Sequence, residues 1–202
     1  MTARQALRTL RDEGLLYSER GRGTFVAEPK FTVQTRQLLG FSEDMKQRGF
    51  TPSSRVLSFR RRAASAEETE RLQLPVAPEV PEVFEIVRLR LADKVPMAYE
   101  ICCLPAQLCP QLKRADVERG SLYKVLEETY GISIEWADEI LEAAVATRQE
   151  AQALQLPARA PVLVVQRTVY SEERTPLEVV RSVYRGDRYQ AVIHLKRKKI
   201  RG

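Results

Sequence analysis

Two arginines stand two residues apart in the stretch VFEIVRLRL, residues 83–91. Side chains on a β-strand alternate between faces, so Arg88 and Arg90 would project together with Phe84 and Ile86. Val83, Glu85, Val87, Leu89 and Leu91 would take the other side. If the arginine face is enclosed, both guanidinium groups need anions, because a buried unpaired charge is strongly disfavoured. Phosphate or carboxylate meets that need, since the planar guanidinium fork binds either one bidentately. The next apolar run, VPMAYEICC, sets Glu100 on a face with Ala98 and Cys102, and PLEVVRSVY aligns Glu178, Val180, Ser182 and Tyr184. Small neighbours around a carboxylate leave room for a guest, and these strands together could line a cavity suited to a polyhydroxyl anion. Two plainer arrangements fit the same pattern: Arg88 paired with Glu100 across a hairpin, or the whole face in solvent.

Catalysis finds less support. Neither a nucleophile elbow nor a phosphate-cradling glycine loop is legible, and GRGTF lacks the GxGxxG spacing. A nucleophilic Cys102 or Cys103 would need a base, and the single histidine, His194, falls in a basic C-terminal strand. Three crowded cysteines, Cys102, Cys103 and Cys109, with one histidine and no CxxC, make neither a disulfide framework nor a metal centre. No cofactor is expected.

The elements that must position these residues can be read from periodicity. Residues 2–13 read as a helix with Thr2 at its N-cap and Gly14 at its C-cap. LLYSE and TFVAE flank RGRG as two short strands around a turn. EPKFTVQTRQ is a polar connector, and helical spacing returns from Leu38 to Arg48. SSRVLSFRRRAA reads as a strand and ASAEETERLQL as a short helix. A duplication then appears: ERLQLP (70–75) and QALQLP (152–157) each lead into a strand, a polar turn and a second strand opened by proline. Between the copies, SLYKVLEETYG reads as a helix and ISIEWADEILEAAVA as strand-like, running on toward the next helix. Sequential hairpins pair antiparallel, so the expected class is α+β, one antiparallel sheet with helices on one face.

The 202 residues, 44% hydrophobic and 30% charged, suffice for one domain of about 150 residues and a smaller appendage. No apolar run is long enough to span a bilayer, and Arg4, Arg8, Arg11, Asp12 and Glu13 interrupt any secretory pattern, so a cytoplasmic location without a membrane partner is expected. The net charge is +6. Basic residues outnumber acids over residues 1–30 and in the tail LKRKKIRG, a distribution suited to phosphate contact at both ends.

TARQALRTLRDEGLLYSERGRGTFVAEP resembles the end of the winged helix-turn-helix domain of GntR-family transcription regulators: recognition helix, connecting turn and wing. The resemblance implies that Thr2, Arg4 and Gln5 reach phosphates and base edges, that Gly21 and Gly23 let the wing tip approach DNA, that Arg22 enters the minor groove and that Thr24 holds a phosphate. The remainder resembles the UTRA effector-binding domain of the HutC branch, which has a chorismate-lyase-like fold. In sugar-phosphate-responsive members a strand RxR pair and a Ser-x-Tyr at a helix start hold the phosphate, and carboxylates with a tyrosine hold the sugar. That implies Arg88 and Arg90, Ser121 and Tyr123 in GSLY, Glu100 in MAYE, and Glu178 with Tyr184, with Phe41 and Ser42 of LGFSEDM also lining the pocket. The implied organisation is a partial winged helix-turn-helix over 1–28, a linker over 29–36 and a UTRA domain over 37–200. In the family two scaffolding helices precede the recognition helix. Without them Ala6, Leu7, Leu10, Leu15 and Leu16 are expected to be poorly anchored or to pack on another chain. The implied function is a DNA-binding regulator, not an enzyme, acting as a homodimer under a small anionic effector, a phosphorylated sugar or amino sugar. Two alternatives are an enzyme of chorismate-lyase-like fold and an effector-binding regulator that has lost DNA binding.

Overall fold

The computed structural model describes residues 2–12, 15–19, 21–26, 31–34, 38–76 and 80–192. Helix α1 (Ala3–Asp12) opens with the Gln5 amide donating to Thr2 Oγ1 at 3.4 Å, the N-cap read from sequence. The antiparallel hairpin β1 (Leu16–Glu19) and β2 (Gly23–Val26) follows, with Gly21 at φ +80° and Gly23 at φ +120° in its tip. Those angles lie in the region that L side chains avoid, which is why the turn carries glycine. Tyr17 stacks on Phe25 with ring centroids 5.5 Å apart. The expected cap Gly14, His194 and the basic tail 195–202 lie outside the described residues.

Within the stretch expected to be only a linker stands a strand. β3 (Phe31–Gln34) pairs in parallel with β10 (Tyr189–Val192), Phe31 opposite Tyr189. The FTVQ alternation of aromatic and β-branched residues has the propensity for this, which the polar flanks masked.

The main sheet has six strands: β4 (Pro52–Ala63), β5 (Glu82–Ala92), β6 (Val95–Pro105), β7 (Trp136–Val145), β8 (Pro161–Tyr170) and β9 (Pro176–Arg185). Their order is β4-β5-β6-β9-β8-β7, and every neighbouring pair is antiparallel. The duplicated hairpins β5/β6 and β8/β9 thus meet at the sheet's centre. Before each hairpin comes a short helix with the same start, α3 (Ala66–Arg71) capped by Ser65 and Glu68, and α6 (Arg148–Leu154) capped by Thr147 and Glu150. Each pair exchanges two hydrogen bonds between side chain and backbone amide. The stretch expected to run on toward helix is the full edge strand β7, and α6 begins only after Thr147.

Helices cover both faces of the sheet, where the sequence suggested one. On one face Phe84, Ile86, Cys102 and Leu104 pack with Val117 of α4 (Arg114–Arg119) and with Leu122 and Leu126 of α5 (Leu122–Tyr130). On the other, Leu89, Tyr99, Val164 and Val183 pack with Ala151 and Leu154 of α6, and Val83, Cys103 and Val179 with Leu72 and Leu74 after α3. Central strands with apolar residues at both parities need cover on both sides. Cys102 and Cys103 consequently point into opposite cores. In β4 a register shift between Val56 and Ser58 leaves Leu57 exposed and lets Val56 and Phe59 both face the α5 side, which reconciles their uneven spacing. Helix α2 (Phe41–Gln47) closes the same side near Ala92 and Met97, through Phe41 and Met45. It starts three residues later than the periodicity of Leu38–Arg48 suggested, because Gly40 takes the N-cap position and its amide donates to Glu43 Oε2 at 2.9 Å. No helix among the described residues is long and apolar enough to cross a membrane.

Candidate functional site

Between the sheet, α2 and the start of α5 lies a cavity of about 290 Å³. Register explains why its wall is polar. Opposite Arg88 on β5 sits Glu100 on β6, opposite Glu100 sits Ser182 on β9, and opposite Ser182 sits Val165 on β8. One row of cross-strand partners therefore runs through four strands, and the neighbouring rows add Arg90, Tyr184, Glu178 and Arg167 to the lining.

The pairing of Arg88 with Glu100, one of the plainer possibilities, does form, and it forms inside the cavity wall. Arg88 Nε donates to Glu100 Oε1 at 2.9 Å, and Nη2 donates to the same oxygen. Both side chains are buried. Arg90 lies with its guanidinium 4.6 Å from the centre of the Phe41 ring and donates from Nη1 to Ser54 Oγ at 2.8 Å. Its Nε is 3.8 Å from Glu100 Oε2, beyond hydrogen-bond range. One carboxylate therefore serves two arginines, and Arg88 Nη1 and Arg90 Nε remain buried without a hydrogen-bond partner. Such groups are rare in folded proteins and mark a place where a partner is expected.

Glu178, a lining carboxyl, accepts from Cys102 Sγ at Oε1 at 2.6 Å, while its Oε2 has no hydrogen-bond partner. Burial raises the Glu178 pKa, and burial followed by the field of Glu178 raises that of the Cys102 thiol well above its usual value. The thiol is thereby held protonated, as a donor and not a nucleophile. For Glu100 burial works upward too, but Arg88 and Arg90 outweigh it and leave its pKa lowered. Arg90 falls to about 10 through burial and then the nearby charge of Arg88. Burial opposes the charge of Arg88, yet Glu100, Cys102 and Glu178 together more than compensate, and the Arg88 pKa is raised.

Of the residues read from sequence, Arg88, Arg90, Glu100, Ser121, Tyr123, Glu178, Tyr184 and Phe41 all line the cavity. Ser42 does not. It follows Phe41 at the start of α2, where neighbouring residues point about 100° apart, and only Phe41 is directed inward. Sequence reasoning missed Asp44, Arg48, Arg167 and Tyr189 as lining residues. Arg48 and Asp44 are an i, i+4 ion pair at 2.7 Å on α2, and Tyr189 stacks on Tyr184 at 3.8 Å between centroids. Arg167 had a signal: it lies in the second copy of the duplicated hairpin, where the first carries its arginine pair.

At the other end, Thr2, Arg4 and Gln5 are exposed on the first turn of α1, and Gly21, Arg22, Gly23 and Thr24 are exposed at the hairpin tip. Thr24 Oγ1 lies 3.0 Å from Ser18 Oγ. Leu7, Leu10 and Leu15 stand in solvent, whereas Ala6 and Leu16 are half-buried.

The main sheet lies within a UTRA domain, whose family model matches residues 47–190. The HTH-type transcriptional repressor NagR of Bacillus subtilis is 40% identical over 198 residues, covering 98% of this chain and 79% of the relative. The mannosyl-D-glycerate transport/metabolism system repressor MngR of Escherichia coli is 28% identical over 201 residues, covering 100% of this chain and 82% of the relative. The crystal structure of PhnF from Mycobacterium smegmatis superposes with a TM-score of 0.76 at 28% identity, covering 96% of this chain and 84% of that one. The chain belongs to the GntR family of DNA-binding transcription regulators, in its HutC branch.

Proposed function

We propose that this protein is a transcription repressor whose hold on DNA is set by a small anionic effector, a phosphorylated sugar or amino sugar, bound in the cavity. The observation that carries this reading is the pair of buried arginine N–H groups, on Arg88 Nη1 and Arg90 Nε, without partners. Two cations share one carboxylate there, and a phosphate would supply the missing acceptors and charge. Ser121 and Tyr123, which line the same cavity where α5 begins, would add hydroxyl donors to that phosphate. Glu100, Glu178 and Tyr184 offer acceptors and a donor to sugar hydroxyls or an amino group. The name of the MngR relative pairs a sugar with an acid, the chemistry this lining would suit.

In this reading Thr2, Arg4 and Gln5 enter the major groove, and Gly21, Arg22, Gly23 and Thr24 form the wing contact. A homodimer presents two such units to a palindromic operator. The effector binds more tightly to the arrangement in which the two helices no longer match the half-sites, and so releases DNA. For an enzyme of chorismate-lyase-like fold, Cys102 offers no activated nucleophile beside the cavity, since it donates to Glu178 and is held protonated.

Thermal-shift titration tests the proposal. Glucosamine 6-phosphate should raise the melting temperature, glucosamine should not, and Arg88→Ala should abolish the response. Stabilisation confined to unphosphorylated or hydrophobic metabolites would sink it. A gel shift with DNA from the protein's own promoter tests the second half, where loss of binding on adding the same sugar phosphate is expected.

A further inference from the structure

Arg167 is a cavity cation that the phosphate reading leaves without a task. It projects from β8, directly opposite Glu139 on the edge strand β7. Its Nε donates to Glu139 Oε1 at 2.7 Å, which anchors the guanidinium to the sheet. The remaining arm reaches away from the sheet: Nη1 donates to the backbone carbonyl of Leu39 at 3.0 Å and lies 3.4 Å from Tyr123 Oη. One side chain thus touches the edge of the sheet, the start of α5 and the backbone just ahead of α2.

The last of these contacts matters because of where Leu39 sits in the chain. Residues 38–40 lead into α2, which with its C-cap contributes Phe41, Asp44 and Arg48 to the cavity, and in the other direction the chain runs back to β3 and the N-terminal helix and hairpin. Gly40 lies close against Tyr123, where an added Cβ would stand 3.2 Å from the ring's Cδ2. Leu39 and Gly40, themselves part of the cavity lining, therefore rest on two further lining residues, Arg167 and Tyr123. The Arg167 contact with Leu39 is a charged donor on a neutral carbonyl. A hydrogen bond in which both partners are charged is stronger, so an anion beside Tyr123 competes for the same Nη1.

We propose that Arg167 couples cavity occupancy to the segment entering α2, its Nη1 holding the Leu39 carbonyl when no anion is bound and releasing it when an anion in the cavity takes that N–H, while Nε and Nη2 stay on Glu139. Arg167 is then a positioning residue for regulation, with Glu139 as its fixed anchor. This inference rests on the effector reading above, because it needs an anion in that cavity. It adds a route by which the anion is felt in the backbone that leads into α2.

The carbonyl carbon resonance of Leu39 reads the clasp directly, in the full chain labelled with 13C and 15N. In wild type, saturation with glucosamine 6-phosphate should move that resonance in the direction of a lost hydrogen bond. In Arg167→Met it should already lie at the released position and stay there on titration. Calorimetry should find that variant still binding, weakened by no more than about tenfold, because Arg88 and Arg90 remain. Arg167→Lys, which keeps a charge beside Glu139 and protects the fold, should show the same released carbonyl. A Leu39 resonance identical in the empty wild type and both variants would overturn the clasp. An equal ligand-induced movement with and without Arg167 would overturn the coupling. Failure of the effector reading looks different: wild type gives no binding heat with glucosamine 6-phosphate, and the coupling falls with it while the empty-state comparison still decides the clasp.

Discussion

The β5/β6 hairpin and the β1/β2 hairpin are built from similar local material and live in opposite surroundings. In the first, Ile86, Cys102 and Leu104 are wholly buried, and even its arginines and Glu100 are enclosed. In the second, Leu15, Tyr17, Phe25 and Val26 face solvent, Val26 at 77% exposure. A buried hairpin can carry charge only where each charge finds a partner, so its polar residues become specific and few. An exposed hairpin can carry charge freely, and its tip is shaped by backbone needs instead, as Gly21 and Gly23 show. The first arrangement suits selective binding of a small molecule, the second contact with a large and charged surface.

Removing the shared carboxylate should sharpen this contrast most. Glu100→Ala strands two buried arginines, and breaking a buried pair typically costs about 3–5 kcal/mol. Chemical denaturation should show the sheet domain losing stability on that scale, and an anion such as phosphate should recover part of it. The pH dependence has a defined sign. Glu100 has a folded pKa below its ordinary value of 4.5, so its stabilisation is present above that value and is lost as pH falls through the lowered one.

Next in size is the apolar core beside the cavity, where Ile86→Ala should cost about 2–5 kcal/mol, against at most about 0.5 kcal/mol for Val26→Ala in the exposed hairpin. Comparable losses at the two sites would break the comparison.

Glu178 gives the opposite pH behaviour. Its folded pKa is raised by burial, so the stability of the neutral acid is full below 4.5 and declines as pH rises through the folded value. Glu178→Gln should therefore gain melting temperature relative to wild type as pH is raised from 4 to 7 (~3 units, enough to ionise an ordinary carboxyl). A difference constant over that range would show that the carboxyl ionises normally.

The smallest effect is expected at the exposed β1/β2 hairpin. Gly21→Ala, at φ +80°, should destabilise the hairpin by about 1 kcal/mol and leave the proposed sugar-phosphate binding unchanged. Gly186→Ala, where a Cβ would lie 2.7 Å from the Pro161 carbonyl oxygen, should instead disturb the main sheet. Together they separate the two regions by backbone alone.

Much of the cavity was legible in sequence because strand alternation is strict. Arg88 with Arg90, and Glu178 with Tyr184, follow from a period of two without knowledge of the fold. The family resemblance supplied Ser121 and Tyr123, which no strand pattern connects to the arginines. Arg167 escaped because its inward face depends on the pairing of β8 with β9, and Tyr189 because its role depends on stacking against Tyr184. The strand at 31–34 was hidden for a related reason: its partner, β10, lies more than a hundred residues away.

The sequence by itself determined which residues share a face on the central strands, which stretches form the short helices, and that the chain repeats a helix and a hairpin. These depend on interactions within a few residues, which spacing records. Only the tertiary structure decided that one carboxylate would serve two arginines and that Arg167 would reach the backbone ahead of α2. Both depend on which strands become neighbours and at what register, and that is settled by burial across the whole sheet, where distant residues compete for the same partner.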